Sequence, residues 1–335
     1  MRIGFFKLEE WEKVAVKAGD FGDAEVIFID EILSKEHLPA EKDFDVISVF
    51  VNSSVDAEVI AALPNLKFIT TRSTGYDHID VKACVARGIK VAYVPAYGEN
   101  TVAEFTFALL LALSRKIFAG FDRIKETGSF SLEGLRGFDL KGKTLGVVGT
   151  GRIGRHVIRM AKGFEMNIVA YDAKPDENYA IASGLRYLPF DDLLKISDVV
   201  TLHVPYMKET HHLMNKEKLE LMKPGAYIIN TSRGAIIETE ALVFALKSGQ
   251  IGGAGLDVLE EEGVVRDELD FLVSGHPEEH NLKTILADHI LIDLPNVIIT
   301  PHNAFNTQEA LTRILNTTIE NIKGFLKGNN VNIVP

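Results

Sequence analysis

Leu145-Gly146-Val147-Val148-Gly149-Thr150-Gly151-Arg152-Ile153-Gly154 reads as a buried β-strand that runs straight into a G-x-G-x-x-G turn. An amphipathic segment follows, which puts the glycines at a strand-to-helix junction rather than in an arbitrary loop. Gly149 permits the tight turn, Gly151 lets the backbone approach a pyrophosphate, and Gly154 allows the helix to pack closely on the strand. The helix N-terminus, with Arg152 and Ile153 in its first turn, then faces the phosphate charge. Eighteen residues beyond Gly154 the next strand ends at Asp172, near the spacing expected for an acid that binds both hydroxyls of an adenosine ribose. That carboxylate repels a 2'-phosphate, so NAD is expected over NADP even with Lys174 close by.

Outward from this turn, residues 144–148, 167–171, 199–203, 227–231 and 252–258 read as strands separated by helical patterns. Five β-α units in order make a doubly wound parallel sheet. Toward the N-terminus a second α/β series appears, with β-rich runs at 3–6, 26–29, 46–51, 68–70 and 90–93 and helical patterns at 55–63 and 79–87. Between the two lies an apolar helix over 101–116, with Glu104 in its first turn and Arg115 and Lys116 in its last, as the helix dipole favours. Its polar face is too narrow for a solvated helix, so it is expected to pack on another domain or subunit. Residues 259–294 break the rhythm with acidic residues, Gly275 and Pro277, and read as an excursion before a strand at 297–300. A final helix is expected over 307–327.

The length of 335 residues exceeds what one hydrophobic core ordinarily fills and suits two domains with a cleft between them. With 46% hydrophobic and 25% charged residues, neither disorder nor a fibrous repeat is indicated. A net charge of -11, with no long Lys/Arg run, argues against a nucleic-acid partner or an acidic membrane surface. The apolar run at 105–113 is far short of the about 20 residues that cross a bilayer, and Glu9 and Glu10 come too early for a signal peptide. The lone Cys84 has no partner for an internal disulfide and sits among small apolar neighbours. That points to a reducing compartment, the cytoplasm.

Three polar turns fall at the C-terminal ends of consecutive strands of the second series, where open α/β sheets bind ligands. They are Thr231-Ser232-Arg233-Gly234, Asp257-Val258-Leu259-Glu260-Glu261-Glu262 and Thr300-Pro301-His302-Asn303. Singly, each is an ordinary surface feature; their shared position makes them a chemical set. Arginine offers a planar fork for a substrate carboxylate. A histidine can give a proton to a carbonyl oxygen as hydride arrives, and a carboxylate on its other nitrogen supports that role. Glu260 and Glu262 both compete to be that carboxylate.

At these residues the chain resembles the D-isomer-specific 2-hydroxyacid dehydrogenases, and within them the D-lactate dehydrogenase branch, over nearly its whole length. The resemblance rests on the glycine turn with Asp172, Leu202-His203-Val204-Pro205, Asn230-Thr231-Ser232-Arg233-Gly234, Gly255-Leu256-Asp257-Val258 followed by Glu262, and Pro301-His302. It implies a Rossmann NAD domain over 100–301 and a flavodoxin-like substrate domain made of 1–99 and 302–335. It implies Arg233 as the substrate-orienting residue, Glu262 as the partner of the histidine and His302 as the acid/base. His203, Val204, Pro205, Thr231, Ser232, Asp257 and His302 are then expected around the cofactor.

On the substrate side, the stretch Arg72-Ser73-Thr74-Gly75-Tyr76-Asp77-His78-Ile79-Asp80 matches the family segment whose backbone N–H groups, at Thr74 and Gly75, hold the substrate carboxylate. Tyr97, Phe305 and Phe50 would wall the pocket. The family's Ser-Pro pair after the tyrosine is replaced here by Gly98-Glu99. The expected ligand is a small 2-keto or 2-hydroxy acid, with D-lactate favoured and a larger 2-hydroxy acid as the alternative. Some relatives of the family act as NAD-sensing binding proteins, and that reading stays open; the formate branch lacks an equivalent of Glu262. A homodimer is expected from the apolar run at 105–113 and from the family's habit. No metal is expected: His276-Pro277-Glu278-Glu279-His280 fits an inverted zinc-protease pattern, but Gly275 and Pro277 spoil the helical face which that pattern requires.

Overall fold

The computed structural model describes residues 1–260, 262, 282–329 and 331–334. The chain forms two compact units, Met1–Tyr97 with Asn306–Pro335, and Gly98–Phe305.

In the first unit β1 (Arg2–Phe6), α1 (Glu10–Lys17), β2 (Glu25–Ile29), β3 (Val46–Val49), α2 (Ala57–Ala62), β4 (Phe68–Thr71), α3 (Val81–Ala86) and β5 (Lys90–Ala92) follow in turn. The strands pair in parallel in the order β2-β1-β3-β4-β5. That is the flavodoxin-like order, with its switch point between β1 and β3. Every residue of β3 and β4 is buried, as a strand covered on both faces requires. Side chains alternate between the faces: Phe6, Ile47 and Ile69 join one apolar cluster, and Phe5, Val46 and Phe68 the other.

The second unit runs α4 (Glu99–Ser114), α5 (Ile117–Thr127), β6 (Thr144–Val148), α6 (Arg152–Gly163), β7 (Asn167–Tyr171), α7 (Glu177–Ser183), β8 (Arg186–Tyr187), α8 (Phe190–Ile196), β9 (Val199–Leu202), α9 (Lys216–Leu221) and β10 (Ala226–Asn230). It continues with α10 (Thr239–Lys247), β11 (Ile251–Leu256), α11 (Leu282–Asp293) and β12 (Val297–Ile299). Seven strands lie in the order β12-β11-β10-β9-β6-β7-β8, with parallel pairing throughout. Counted from β6, this is a Rossmann order with one added edge strand, and the chain reverses direction between β6 and β9. The glycine turn and Val204-Pro205 therefore leave the sheet side by side at that switch point.

The expected architecture of two doubly wound parallel sheets is the one observed. One expectation is corrected. The helix thought to seek another domain or subunit is α4, and it is buried in its own unit through Val102, Ala103, Phe107, Leu109, Leu110 and Leu113, against α6, β10 and β11. It starts at Glu99, so Glu99 rather than Glu104 complements the dipole, and Gly98 stands at its N-cap. The exposed apolar face belongs instead to α5, where Ile117, Phe118, Phe121 and Ile124 are all about half exposed or more.

The chain then returns to the first unit with α12 (Gln308–Leu326), which packs on β4 and α1. Asn321, fully buried on this helix, donates to Tyr93 O at 3.0 Å and accepts from Asn332 Nδ2 at 2.8 Å. These bonds tie the last helix and the C-terminal segment to the end of β5. Among the described residues no helix is long and apolar enough to cross a membrane.

Candidate active site

The glycine turn has the stereochemistry its sequence demands. Gly149 sits at φ 94°, where an L side chain is strained, and a Cβ on Gly154 would lie 2.1 Å from Gly149 O. At Gly151, by contrast, a Cβ would meet nothing within 4 Å. The space beside the helix N-terminus is therefore open toward a ligand, as a pyrophosphate site requires.

Asp172 is held at the end of β7. Its Oδ2 accepts from Thr150 N at 2.7 Å and Thr150 Oγ1 at 2.9 Å, and its Oδ1 from Lys174 N at 2.9 Å. Burial alone would raise its pKa, but these bonds and the Arg155 charge outweigh it and leave the carboxyl below its ordinary value. Thr150 Oγ1 also meets Tyr187 Oη at 2.8 Å. Since an ionised carboxylate only accepts, the Thr150 hydroxyl gives its proton to Asp172 and takes one from Tyr187. Arg155 closes the network through Thr150 O at 3.0 Å and Asp176 at 2.7 Å. Lys174 contributes its backbone N–H, and Arg152 lies 3.8 Å from Glu99. Thr150 and Tyr187 went unassigned in the sequence: one is a free position of the fingerprint, the other lies on the two-residue strand β8.

At the end of β9, His203 N donates to Val148 O at 2.7 Å, and His203 Nε2 meets Thr201 Oγ1 at 2.9 Å. Burial pushes its imidazole pKa down to about 3, so the ring is neutral at ordinary pH. Val204 and Pro205 follow with part of their surface open or fully exposed.

The turn after β10 is organised by Asn230, which is buried. Its Nδ2 donates to Arg233 O at 2.8 Å and its Oδ1 accepts from Ser232 N at 3.0 Å, while Ser232 Oγ donates to Leu202 O at 2.6 Å. Thr231 Oγ1 meets Thr106 Oγ1 of α4 at 3.2 Å. Arg233 Nη1 donates to Ser232 O at 2.8 Å, and its backbone is extended. Asn230 was read only as part of a motif; its role as a turn clamp depends on backbone geometry.

Asp257 is 1% exposed. Its carboxylate accepts from Thr300 Oγ1 at 2.5 Å, Asn303 N at 3.0 Å and Ala304 N at 2.8 Å. Burial raises its pKa against these bonds and the neighbouring His302 charge. The carboxylate thus grips both flanks of His302, whose backbone is left-handed at φ 51°, an uncommon conformation for a non-glycine residue. Beside it Asn303 Oδ1 is buried with no hydrogen-bond partner among the described residues, an acceptor that a bound ligand's donor would satisfy.

His302 Nδ1 meets Glu262 Oε1 at 2.8 Å. Glu260, its rival in the sequence, instead reaches His212 Nε2 at 2.6 Å. Arg233, Glu262 and His302 thus leave the carboxyl ends of β10, β11 and β12, three adjacent strands. Of the zinc-protease pattern, His276 to His280 lie outside the described residues. Elsewhere among the described residues no cluster of three His, Cys, Asp or Glu could hold a metal.

In the first unit Arg72 is the organising residue of the carboxyl edge. Its buried guanidinium donates to Phe6 O at 2.8 Å, Lys7 O at 3.0 Å and Ser48 Oγ at 3.1 Å, and it lies over the Phe50 ring at 5.8 Å. The ends of β1, β3 and β4 are gathered on one cation, whose pKa burial lowers to about 10. The next turn is fixed by Ser73 Oγ to Gly75 O at 2.6 Å and Thr74 Oγ1 to Val94 O at 2.7 Å. Thr74 is exposed, and Gly75 and Tyr97 are partly so; Phe305, in the second unit, is partly exposed as well.

Residues 107–304 match the D-isomer specific 2-hydroxyacid dehydrogenase family over its NAD-binding domain. The chain is 36% identical over 335 residues to the D-lactate dehydrogenase of Escherichia coli, covering 98% of both chains. It is 38% identical over 291 residues to the glyoxylate reductase of Korarchaeum cryptofilum, covering 86% of this chain and 81% of that one. The structure of D-lactate dehydrogenase from Aquifex aeolicus complexed with NAD and lactic acid superposes with a TM-score of 0.85 at 37% identity, covering 98% of this chain and 96% of that one.

Proposed function

The chain belongs to the D-isomer specific 2-hydroxyacid dehydrogenases, and from that premise we propose that it interconverts pyruvate and D-lactate with NAD as the redox partner. The carrying observation is the 2.8 Å contact of Glu262 with His302 Nδ1, beside the Arg233 turn. Bound NADH supplies a hydride to the carbonyl carbon of the 2-keto acid. With Nδ1 engaged by Glu262, Nε2 is the ring nitrogen left to give its proton to the carbonyl oxygen, which completes the alcohol; in the reverse direction it takes that proton back. Arg233 presents its fork to the substrate carboxylate. Thr74 and Gly75 offer backbone N–H groups to the same carboxylate, and Tyr97, Phe50 and Phe305 wall the substrate side chain. Asp172 binds the adenosine ribose, Gly149, Gly151 and Gly154 shape the phosphate turn with Arg152 and Ile153, and His203, Val204, Pro205, Thr231 and Ser232 border the cofactor.

Similarity to a glyoxylate reductase supports a second reading in which another 2-keto acid is preferred. One or two methylenes in a pocket shift selectivity by only about 1–3 kcal/mol. The decisive experiment follows NADH oxidation with pyruvate, longer 2-keto acids, hydroxypyruvate and glyoxylate in parallel, with chiral analysis of the product. Fast turnover of pyruvate to D-lactate supports the first reading; faster turnover of another keto acid supports the second. Silence on all of them with NADH still bound replaces both with a binding role. His302→Ala should lower kcat by roughly 10²–10⁴ while NADH binding is kept; near-normal turnover would remove His302 as the acid.

We also assign the exposed face of α5, together with Phe130 and Leu132, to contact with a second copy of the chain, since an apolar patch of this kind marks an association surface. The buried, unpaired Cys84 fits a cytoplasmic setting.

A further inference from the structure

The second histidine-carboxylate pair, His212 with Glu260, has no part in the chemistry described above, yet every atom of its carboxylate is committed. Glu260 Oε1 meets His212 Nε2 at 2.6 Å, and Oε2 accepts from Thr239 Oγ1 at 2.9 Å and Thr239 N at 3.3 Å. The Glu260 side chain is only 15% exposed. Its partners stand on two different segments. His212 lies in the connection from β9 to α9, the one that begins with Val204-Pro205; Thr239 opens α10, just past the Arg233 turn. His212 N in turn donates to Ala235 O at 2.8 Å, two residues beyond Arg233.

Backbone packing joins the same pieces. A Cβ on Gly234 would lie 2.0 Å from Leu259 C and O and 2.4 Å from Glu260 N. The Arg233-Gly234 peptide is therefore pressed directly on the chain that leads, two residues later, to Glu262. Losing either member of the pair leaves a mostly buried polar group without its partner, so these segments must move to solvate it.

Resting on the reading of Arg233 and Glu262 given above, we propose that Glu260 and His212 are a positioning pair that holds the Arg233 turn and the Glu262 arm in register. The hydrogen-bond partners of the Glu260 carboxylate are His212 and Thr239, neither of which belongs to the set Arg233, Glu262 and His302. Its effect should divide between substrate binding, through Arg233, and proton transfer, through Glu262, and leave the glycine turn alone.

Steady-state kinetics of the full chain with pyruvate, NADH binding by fluorescence, and nuclear magnetic resonance of ¹⁵N-histidine-labelled protein test this together. Glu260→Ala should raise the pyruvate KM and lower kcat, each about ten-fold, the scale set by a displacement somewhat under 1 Å. NADH affinity should stay within about two-fold, since the glycine turn and Asp172, which hold the phosphates and the ribose, lie outside the displaced segments. Glu260→Gln, which still accepts from Thr239, should recover most of both parameters, and Glu260→Ala with His212→Ala should be no worse than Glu260→Ala alone. The proton titration curve of His302, read in the spectra, should move in Glu260→Ala. If Glu260→Ala loses thermal stability while KM, kcat and the His302 curve stay at wild-type values, the pair is a staple only and the proposal is overturned. Were the wild-type chain to reduce no 2-keto acid, the catalytic reading would fail, and the His302 curve would still decide this one: displaced in Glu260→Ala, it supports the pair; superposed on wild type, it overturns it.

Discussion

Gly234→Ala puts the assembly of the site to a direct test. The glycine is not there for a left-handed backbone, since its φ is not in that region; it is there for space. The added methyl would start 2.0 Å from Leu259 C and O, whereas ordinary contact begins at 3.4 Å. The clashing atoms are backbone, so no rotamer change relieves them, and the Arg233 turn and the Glu260 segment must separate by roughly 1 Å or more. A misplacement of about 1 Å at a reacting group can cost on the order of 10²-fold in rate, or about 2.7 kcal/mol of transition-state stabilisation. The strain itself should cost about 1–3 kcal/mol of stability, which leaves a folded protein at room temperature. The assay is kcat/KM for pyruvate, with NADH affinity and thermal unfolding measured on the same samples. Gly163→Ala is the control: it sits in the last turn of α6 with nothing within 4 Å of a Cβ, and should leave kcat/KM unchanged. A kcat/KM for Gly234→Ala within about three-fold of wild type would show that the Arg233 turn tolerates displacement from the Glu262 segment, and would refute the coupling inferred from their contact.

Three further outcomes rest on the same structure. Asp172→Asn removes the charge that the ribose hydroxyls meet, so the KM for NADH should rise about ten-fold and the preference over NADPH should narrow, with kcat little changed; an unaltered cofactor ratio in initial rates rejects the assignment. His203 has a folded pKa of about 3 against an ordinary 6.5, so its contribution to stability is complete above 6.5 and is lost as pH falls toward 3. Because the residue keeps part of its surface, the loss by pH 5 is at most about 2 kcal/mol; His203→Asn should flatten that part of the stability-pH curve in urea unfolding, and an unchanged slope would refute the buried neutral ring. Phe121→Glu on α5 places a charge in the exposed apolar face and should convert a dimer to a monomer in light scattering, an outcome excluded if wild type already gives a clean monomer mass.

Much of the fold was legible because parallel strands buried on both faces leave short β-branched runs such as Val46–Val49 and Val199–Leu202, repeated in alternation with helical patterns. The strand β8 was not legible, since two residues carry no period. The apolarity of α4 was read correctly and its cause was not: composition says that a helix is covered, and only packing says by what. The covering proved to be α6, β10 and β11 of its own unit, and the unpartnered face lies one helix later, where Ile117, Phe118, Phe121 and Ile124 recur at the spacing of a single helical side.

For the site, side-chain types and chain positions were visible, and the allocation of hydrogen bonds was not. Asp257, Glu260 and Glu262 leave one strand within six residues, and the sequence left Glu260 and Glu262 in competition for the histidine while setting Asp257 beside the cofactor. Their surroundings divide the work. Asp257, buried and saturated by Thr300, Asn303 and Ala304, has no oxygen to spare for proton traffic and instead holds the His302 turn in its left-handed form. Glu260 is likewise saturated, by His212 and Thr239. Glu262 faces the histidine at the strand end with its side chain 35% exposed, more than twice the exposure of Glu260. The carboxylate that pairs with an acid/base must remain responsive to the charge forming on the imidazole, whereas one that fixes a turn must not. Carboxylates leaving one strand thus serve as clamp, staple and partner according to which groups the fold sets against each, a property of tertiary structure that local spacing does not encode.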